Sequence, residues 1–114
     1  MGVIVDQDEN GRPVADSACT GCHGGGFLED VFGEWKETGH AEIFTNMLNT
    51  NTHYGENCFA CHTVGFDPTA DNDGIDEAGD FQAFLDAGLI NNPGDNWTTV
   101  LQQFPETARK ANIQ

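Results

Sequence analysis

Basic residues are scarce in this chain. Four Lys plus Arg stand against 19 Asp plus Glu, so the formal net charge of the 114 residues is −15. A surface of this sign repels the phosphates of nucleic acids and of anionic lipids, which argues against both as partners. It suits a cationic partner, bound divalent cations or a saline habitat, and solubility alone is the simplest alternative.

Long apolar runs are missing as well. The sequence contains neither the basic start and apolar run of a secretory signal nor a stretch long enough for a transmembrane helix. We therefore expect no membrane insertion, and either a cytoplasmic protein or the mature part of an exported one. The length predicts one domain over residues 1–114. Because only 38% of the residues are apolar, we expect a thin core that depends on disulfides, a metal or a cofactor.

The patterns of secondary structure are those of a mainly α protein with long loops. Residues 3–14 alternate and turn at Asn10-Gly11, which predicts a hairpin. Elsewhere apolar residues recur at helical spacing and predict short amphipathic helices. These stripes run over residues 28–35, over residues 40–48 from His40 onward, and over residues 81–89 and 97–104. An Asp95 or Asn96 cap is expected for the fourth, and Pro105 fits the first turn of a last helix.

Two acidic stretches carry the oxygen-rich spacing of calcium-binding loops. Asp6, Asp8, Asn10 and Gly11 match the start of an EF-hand loop, although Ser17 occupies the position of its final Glu. Residues 66–80 contain six carboxylates. Calcium at these loops is a candidate cofactor, and the alternatives are a plain turn at the first stretch and a solvated loop at the second.

The chain has only four cysteines, Cys19, Cys22, Cys58 and Cys61, in the segments CTGCH and CFACH. A disulfide framework and a four-cysteine zinc site are two interpretations. A zinc site would leave the histidine after each pair unexplained, and the 35 residues between the pairs exceed common spacings. In the third interpretation each pair bonds the vinyl groups of a c-type haem and the next histidine binds its iron. Two complete motifs that use every cysteine favour two haem c groups, with His23 and His62 as proximal ligands.

The two remaining histidines, His40 and His53, match the two axial positions that would still be open. We expect both to be distal ligands, with His53 on the first haem and His40 on the second. Met47 is the rival ligand, although its place in an apolar stripe favours core packing. Iron held by two histidines has no open position, so such a centre passes electrons and gives a substrate nowhere to bind.

The segments CTGCH, WKETGHAEIF and CFACHTVGFD resemble those of multihaem c-type cytochromes of the cytochrome c554-like group. The resemblance covers about residues 17–67 and implies that the histidine of the G-H-A segment, here His40, is a distal ligand. Relatives of this kind usually carry four or more haems, whereas this chain has motifs for two. We therefore expect a dihaem module that is either homologous to a longer multihaem cytochrome or a piece of one.

The expected function is electron transfer rather than catalysis. The alternative is a haem enzyme or gas-sensing module in which one axial site is open, with His53 as the position that fails. Covalent haem attachment implies export to the periplasm or the cell exterior, and redox proteins, other cytochromes among them, are the expected partners. Since the haems would supply the apolar surface that the sequence lacks, we also expect the haem-free chain to be largely unfolded.

Overall fold

A computed structural model describes residues 4–9, 12–15, 20, 22, 25 and 29–111. The N-terminal part is a two-stranded antiparallel hairpin of β1, Ile4–Gln7, and β2, Pro13–Ala15. Between the strands the Asp8 N–H donates to the Arg12 carbonyl at 2.9 Å, and the Arg12 N–H donates to Asp8 Oδ1 at 2.9 Å. The predicted hairpin is confirmed, while its expected Asn10-Gly11 turn lies outside the described residues.

The rest of the described chain is helical with long connections, as the sequence predicts. Six α-helices and one short 3-10 helix lie between residues 31 and 110 of the described part. They are α1 (Val31–Lys36), α2 (Ile43–Thr50), α3 (Glu56–His62), the 3-10 helix (Ile75–Glu77), α4 (Phe81–Asp86), α5 (Asn96–Gln103) and α6 (Pro105–Lys110). No helix in the described ranges is long and apolar enough to cross a membrane.

Local hydrogen bonds set where the predicted helices begin. Asp30 caps α1 because its Oδ1 accepts the Gly33 N–H at 2.8 Å, so the helix begins at Val31, while the predicted start at Leu28 lies outside the described residues. The stripe predicted to begin at His40 is helical only from Ile43. The Ala41 N–H donates to the Thr38 carbonyl at 3.2 Å and closes a turn over this segment, so His40 lies before α2 and not on it.

Local features also set the ends of α4, α5 and α6. The stripe over residues 81–89 ends early, since Gly88 has a φ of +73°, which is the left-handed conformation common after a helix. Pro105 occupies the first turn of α6 as predicted. Asp95 is the residue that precedes α5, and its carboxylate accepts the Thr98 hydroxyl at 2.7 Å.

The core is larger than composition suggests, and it is aromatic. Phe44 of α2 lies at its centre, with ring centroids 5.3 Å from Phe59 of α3 and 6.4 Å from Phe84 of α4. Trp97 of α5 packs against the same ring at 6.3 Å. Each of these four side chains is at most 2% exposed. The described core residues all fall between positions 41 and 111, so helices α2 to α6 share one apolar centre.

Buried amides fix the long connections to this core. Asn96 donates from Nδ2 to the carbonyls of Leu48 at 2.9 Å, Leu89 at 3.2 Å and Asn92 at 2.7 Å. The Trp97 N–H donates to Asn49 Oδ1 at 2.9 Å. Because buried carbonyls need partners, these bonds stabilise the contact between α5 and α2 and the loop that precedes α5.

Candidate haem-attachment site

The second CxxCH motif lies on α3. Cys58 and Cys61 are three residues apart, which places both thiols on one side of the helix. Cys58 is partly buried and Cys61 is exposed. Phe59, between them, is fully buried and anchors the helix in the aromatic core. The helix therefore presents a cysteine to the surface while its opposite side is held by packing.

Two features end α3 at the motif. Thr63 is in an extended conformation, and its buried hydroxyl donates to the Phe59 carbonyl at 2.8 Å. The chain then continues to Val64, a large apolar side chain that is 45% exposed. An exposed apolar side chain thus lies two residues after His62 in the chain.

His62, the last residue of α3, is held by Tyr54. The His62 Nδ1 lies 3.2 Å from the Tyr54 hydroxyl, and the two rings stack with centroids 5.3 Å apart and an interplanar angle of 28°. Tyr54 is only 1% exposed. This contact occupies Nδ1 and leaves Nε2, the other ring nitrogen, without a hydrogen bond to any described residue. Neutral imidazole binds metals through the nitrogen that carries no proton, so a His62 that donates its Nδ1–H to Tyr54 has Nε2 free for a metal.

The chemistry of Tyr54 suits this contact. Burial raises the pKa of the Tyr54 hydroxyl, and the nearby Cys58 raises it further. The phenol is therefore neutral at physiological pH, and its oxygen can accept a hydrogen bond from Nδ1–H. Sequence reasoning missed Tyr54. Its only signal is that it is the single tyrosine of the chain and follows His53 directly.

The two predicted distal ligands are both exposed. His53 lies in the turn before α3, where its N–H donates to Asn51 Oδ1 at 2.7 Å. Because it precedes Tyr54 in the chain, its Cα lies about 3.8 Å from that of the residue stacked on His62. His53 is thus close in the fold to the second motif. The pairing of His53 with the first haem and His40 with the second, and their ligation, stay predictions.

His40 borders an open cleft of about 510 Å³, lined by Gly39, His40, Glu42, Ile43, Asn46 and Met47. Its rival as an axial ligand, Met47, lines the same cleft. Met47 is partly buried and packs against the aromatic core, and its sulfur accepts the Asn51 amide at 3.7 Å. These contacts agree with the interpretation of Met47 as a packing residue, while the imidazole of His40 is exposed at the cleft.

The first motif is described only at Thr20 and Cys22, since Cys19 and His23 lie outside the described residues. Cys22 is exposed, and it is a free thiol like Cys58 and Cys61. Cys22 and Cys61 are thus exposed free thiols, whereas Cys58 is a free thiol that is partly buried against the core. Over residues 29–111 and the shorter described stretches, no group of three or more His, Cys, Asp or Glu is arranged to hold a metal ion.

The acidic loop over residues 66–80 uses several carboxylates for bonds within the chain. Asp73 forms an ion pair with Lys110 of α6, and the hydrogen bond from that ammonium holds the pKa of Asp73 below its usual range. Asp67 accepts the Thr69 hydroxyl at 2.7 Å and the Thr69 N–H at 2.9 Å, which lower its pKa. Calcium at the acidic loops stays a prediction.

The residues present at the second motif fit a covalently attached haem. The two thiols are free and on one side of α3, the Nε2 of His62 has no hydrogen bond to a described residue, and the exposed Val64 follows two residues later. No family model, curated protein or solved structure matches this chain. The likeness to multihaem cytochromes therefore rests on the sequence motifs alone.

Proposed function

We propose that this chain transfers electrons through two covalently attached c-type haems whose irons each have two histidine ligands. The observation that carries the proposal is the pair of complete CxxCH motifs, which together use all four cysteines. The arrangement of Cys58, Cys61 and His62 on α3 supports it for the second motif.

Each residue of the site has one role in this proposal. Cys19 and Cys22 would form the thioether bonds of the first haem, and Cys58 and Cys61 those of the second. His23 and His62 are the proximal ligands, and His40 and His53 the distal ones. When bound, the haems supply one-electron exchange between ferric and ferrous iron.

The protein's contribution is to hold these groups in place. Phe59 and Thr63 fix α3 against the core, so the two thiols and the imidazole of the second motif are carried by one rigid element. Covalent haem attachment places the protein in the periplasm or outside the cell. The charge of −15 would steer cationic surfaces of redox partner proteins, including other cytochromes, toward it.

Removal of each cysteine pair tests the proposal directly. After expression with cytochrome c maturation machinery, the wild type is expected to carry two haems by intact mass and by the pyridine haemochrome assay. Cys58→Ser with Cys61→Ser removes one haem, and Cys19→Ser with Cys22→Ser removes the other. Ala60→Ser, an exposed position between the thiols on α3, is the matched control and keeps both haems.

Two outcomes for the wild-type protein would overturn all or part of the proposal. A wild-type protein that contains zinc and no haem after maturation would overturn the proposal and favour the four-cysteine zinc site. A wild type with a single haem would overturn the assignment of one motif, and the two double variants would show which.

A further inference from the structure

The ring of Tyr54 is among the most firmly held side chains next to the candidate site. Its centroid lies 5.7 Å from that of Phe44 in an edge-on contact, and 5.5 Å from that of Phe59. With 1% exposure it cannot turn toward solvent. The hydroxyl that contacts His62 Nδ1 thus belongs to a side chain that is held by packing in the core.

The contact also provides what an iron-binding histidine usually has, namely an acceptor for its second ring N–H. Metal-ligating histidines almost always donate the other ring N–H to a neighbouring acceptor, and this second bond fixes the ring and increases its basicity. Across the described residues, the Tyr54 oxygen at 3.2 Å is the partner that the structure gives His62 Nδ1. The stacking of the two rings at 28° further limits rotation of the imidazole.

We propose that Tyr54 is a positioning residue for the second haem: its hydroxyl oxygen accepts the His62 Nδ1–H, fixes the imidazole plane and lowers the reduction potential of that haem. This inference rests on the proposed function, since it needs His62 as an iron ligand. A more electron-rich imidazole stabilises ferric over ferrous iron. The hydrogen bond therefore favours the oxidised state of this haem.

Tyr54→Phe tests the role because it keeps the stacked ring and removes only the hydroxyl. We expect the variant to retain two haems and to show an upward shift of one of the two midpoint potentials in a spectroelectrochemical titration. The other potential stays at its wild-type value. Thr45→Val is the matched control, since it removes a buried hydroxyl of α2 that has no hydrogen-bond partner among the described residues. It should leave both potentials unchanged.

The failures of the two proposals can be told apart on the same samples. Two haems with unshifted potentials in Tyr54→Phe would overturn the positioning role alone, and so would an equal shift of both potentials. A wild type without haem on Cys58 and Cys61 would overturn the proposed function and this inference with it.

A measurement on the wild type covers the case in which Tyr54→Phe does not fold. In the reduced protein, whose low-spin ferrous haems are diamagnetic, the His62 Nδ1–H should give a nuclear Overhauser effect to the ring protons of Tyr54. It should also exchange slowly with deuterium, because Tyr54 is buried. A rapidly exchanging Nδ1–H without that cross-peak would overturn the inference.

Discussion

At the scale of single residues, the described histidines differ in how firmly the chain holds them. His62 is partly buried and is fixed by a hydrogen bond and a stacked ring. His40 and His53 are exposed and lie in turns, where neither imidazole has a hydrogen bond to a described residue. The chain thus fixes His62, the proposed proximal ligand, in advance, whereas the two proposed distal ligands would gain their orientation from the iron.

Replacement of each distal histidine should open one axial position. In reduced His53→Ala, and separately in His40→Ala, we expect rapid carbon monoxide binding at about half of the total haem, because one of two irons loses its sixth ligand. The visible absorption change on addition of carbon monoxide measures it. Thr52→Ala, an exposed neighbour of His53, should bind no more than the wild type.

The wild type decides between the two functional interpretations. Slow or absent carbon monoxide binding is expected for two histidine-ligated haems. Rapid binding to one haem of the wild type would contradict this ligation and favour the haem enzyme or gas sensor with an open site.

Sequence predicts those site residues that lie next to one another in the chain, and it does not predict those that only the fold brings together. CxxCH identifies cysteines and a proximal histidine because one turn of chain delivers all three groups. Tyr54 could not be identified in this way. Its contact with His62 spans eight positions and exists only because α2 and α3 place Phe44 and Phe59 around its ring.

At the scale of elements, carboxylates near helix ends join segments that are distant in sequence. Asp80 precedes α4, yet its carboxylate caps α6. It accepts the Thr107 N–H at 2.8 Å, the Thr107 hydroxyl at 2.7 Å and the Glu106 N–H at 3.0 Å. In return Glu106 accepts the Gly79 N–H at 2.7 Å. Because Thr107 is fully buried, its donors have no access to water if Asp80 is removed.

Asp80→Ala should therefore lower the free energy of unfolding by about 1–2 kcal/mol, the usual cost of a lost cap. Urea unfolding followed by circular dichroism measures the change. Asp86→Ala is the matched control, since Asp86 is exposed and accepts only the Gln82 amide at 3.1 Å among the described residues. It should change stability by less than about 0.5 kcal/mol. Equal effects of the two substitutions would contradict the capping role.

Helices with a clear apolar stripe were predictable, and those without one were not. Apolar stripes predict α2, α4 and α5, and Pro105 predicts the start of α6. The predicted start of α2 at His40 was wrong, because a turn over residues 37–42 precedes the helix. α3 carries no stripe, since Phe59 is its only buried residue. Its helical form therefore depends on tertiary packing, which periodicity does not report.

At the scale of the whole molecule, the aromatic core changes the expected dependence on haem. Composition predicts a chain that is largely unfolded without its cofactor. Yet within residues 41–111 the rings of Phe59, Phe84 and Trp97 pack around Phe44, and all four are at most 2% exposed. The count of apolar residues underestimates this core because few but large aromatic rings fill it.

A variant with all four cysteines replaced by serine, and hence without covalent haem, is now expected to keep a cooperative unfolding transition. Near-ultraviolet circular dichroism and tryptophan fluorescence, to which Trp97 in the core and Trp35 of α1 both contribute, follow the transition. Phe44→Ala in the same background should weaken or abolish the transition, since loss of a buried phenylalanine costs about 3–5 kcal/mol. A haem-free variant with no helical signal and no transition would instead support the expectation from composition.

The most direct test of the account is one preparation of wild-type protein made with the maturation machinery. Its intact mass under denaturing conditions and its oxidised and reduced visible spectra would be recorded together. We expect the mass of the chain plus two haems, and six-coordinate low-spin spectra in both oxidation states. The mass of the chain alone, or a high-spin spectrum, would contradict electron transfer through two histidine-ligated haems.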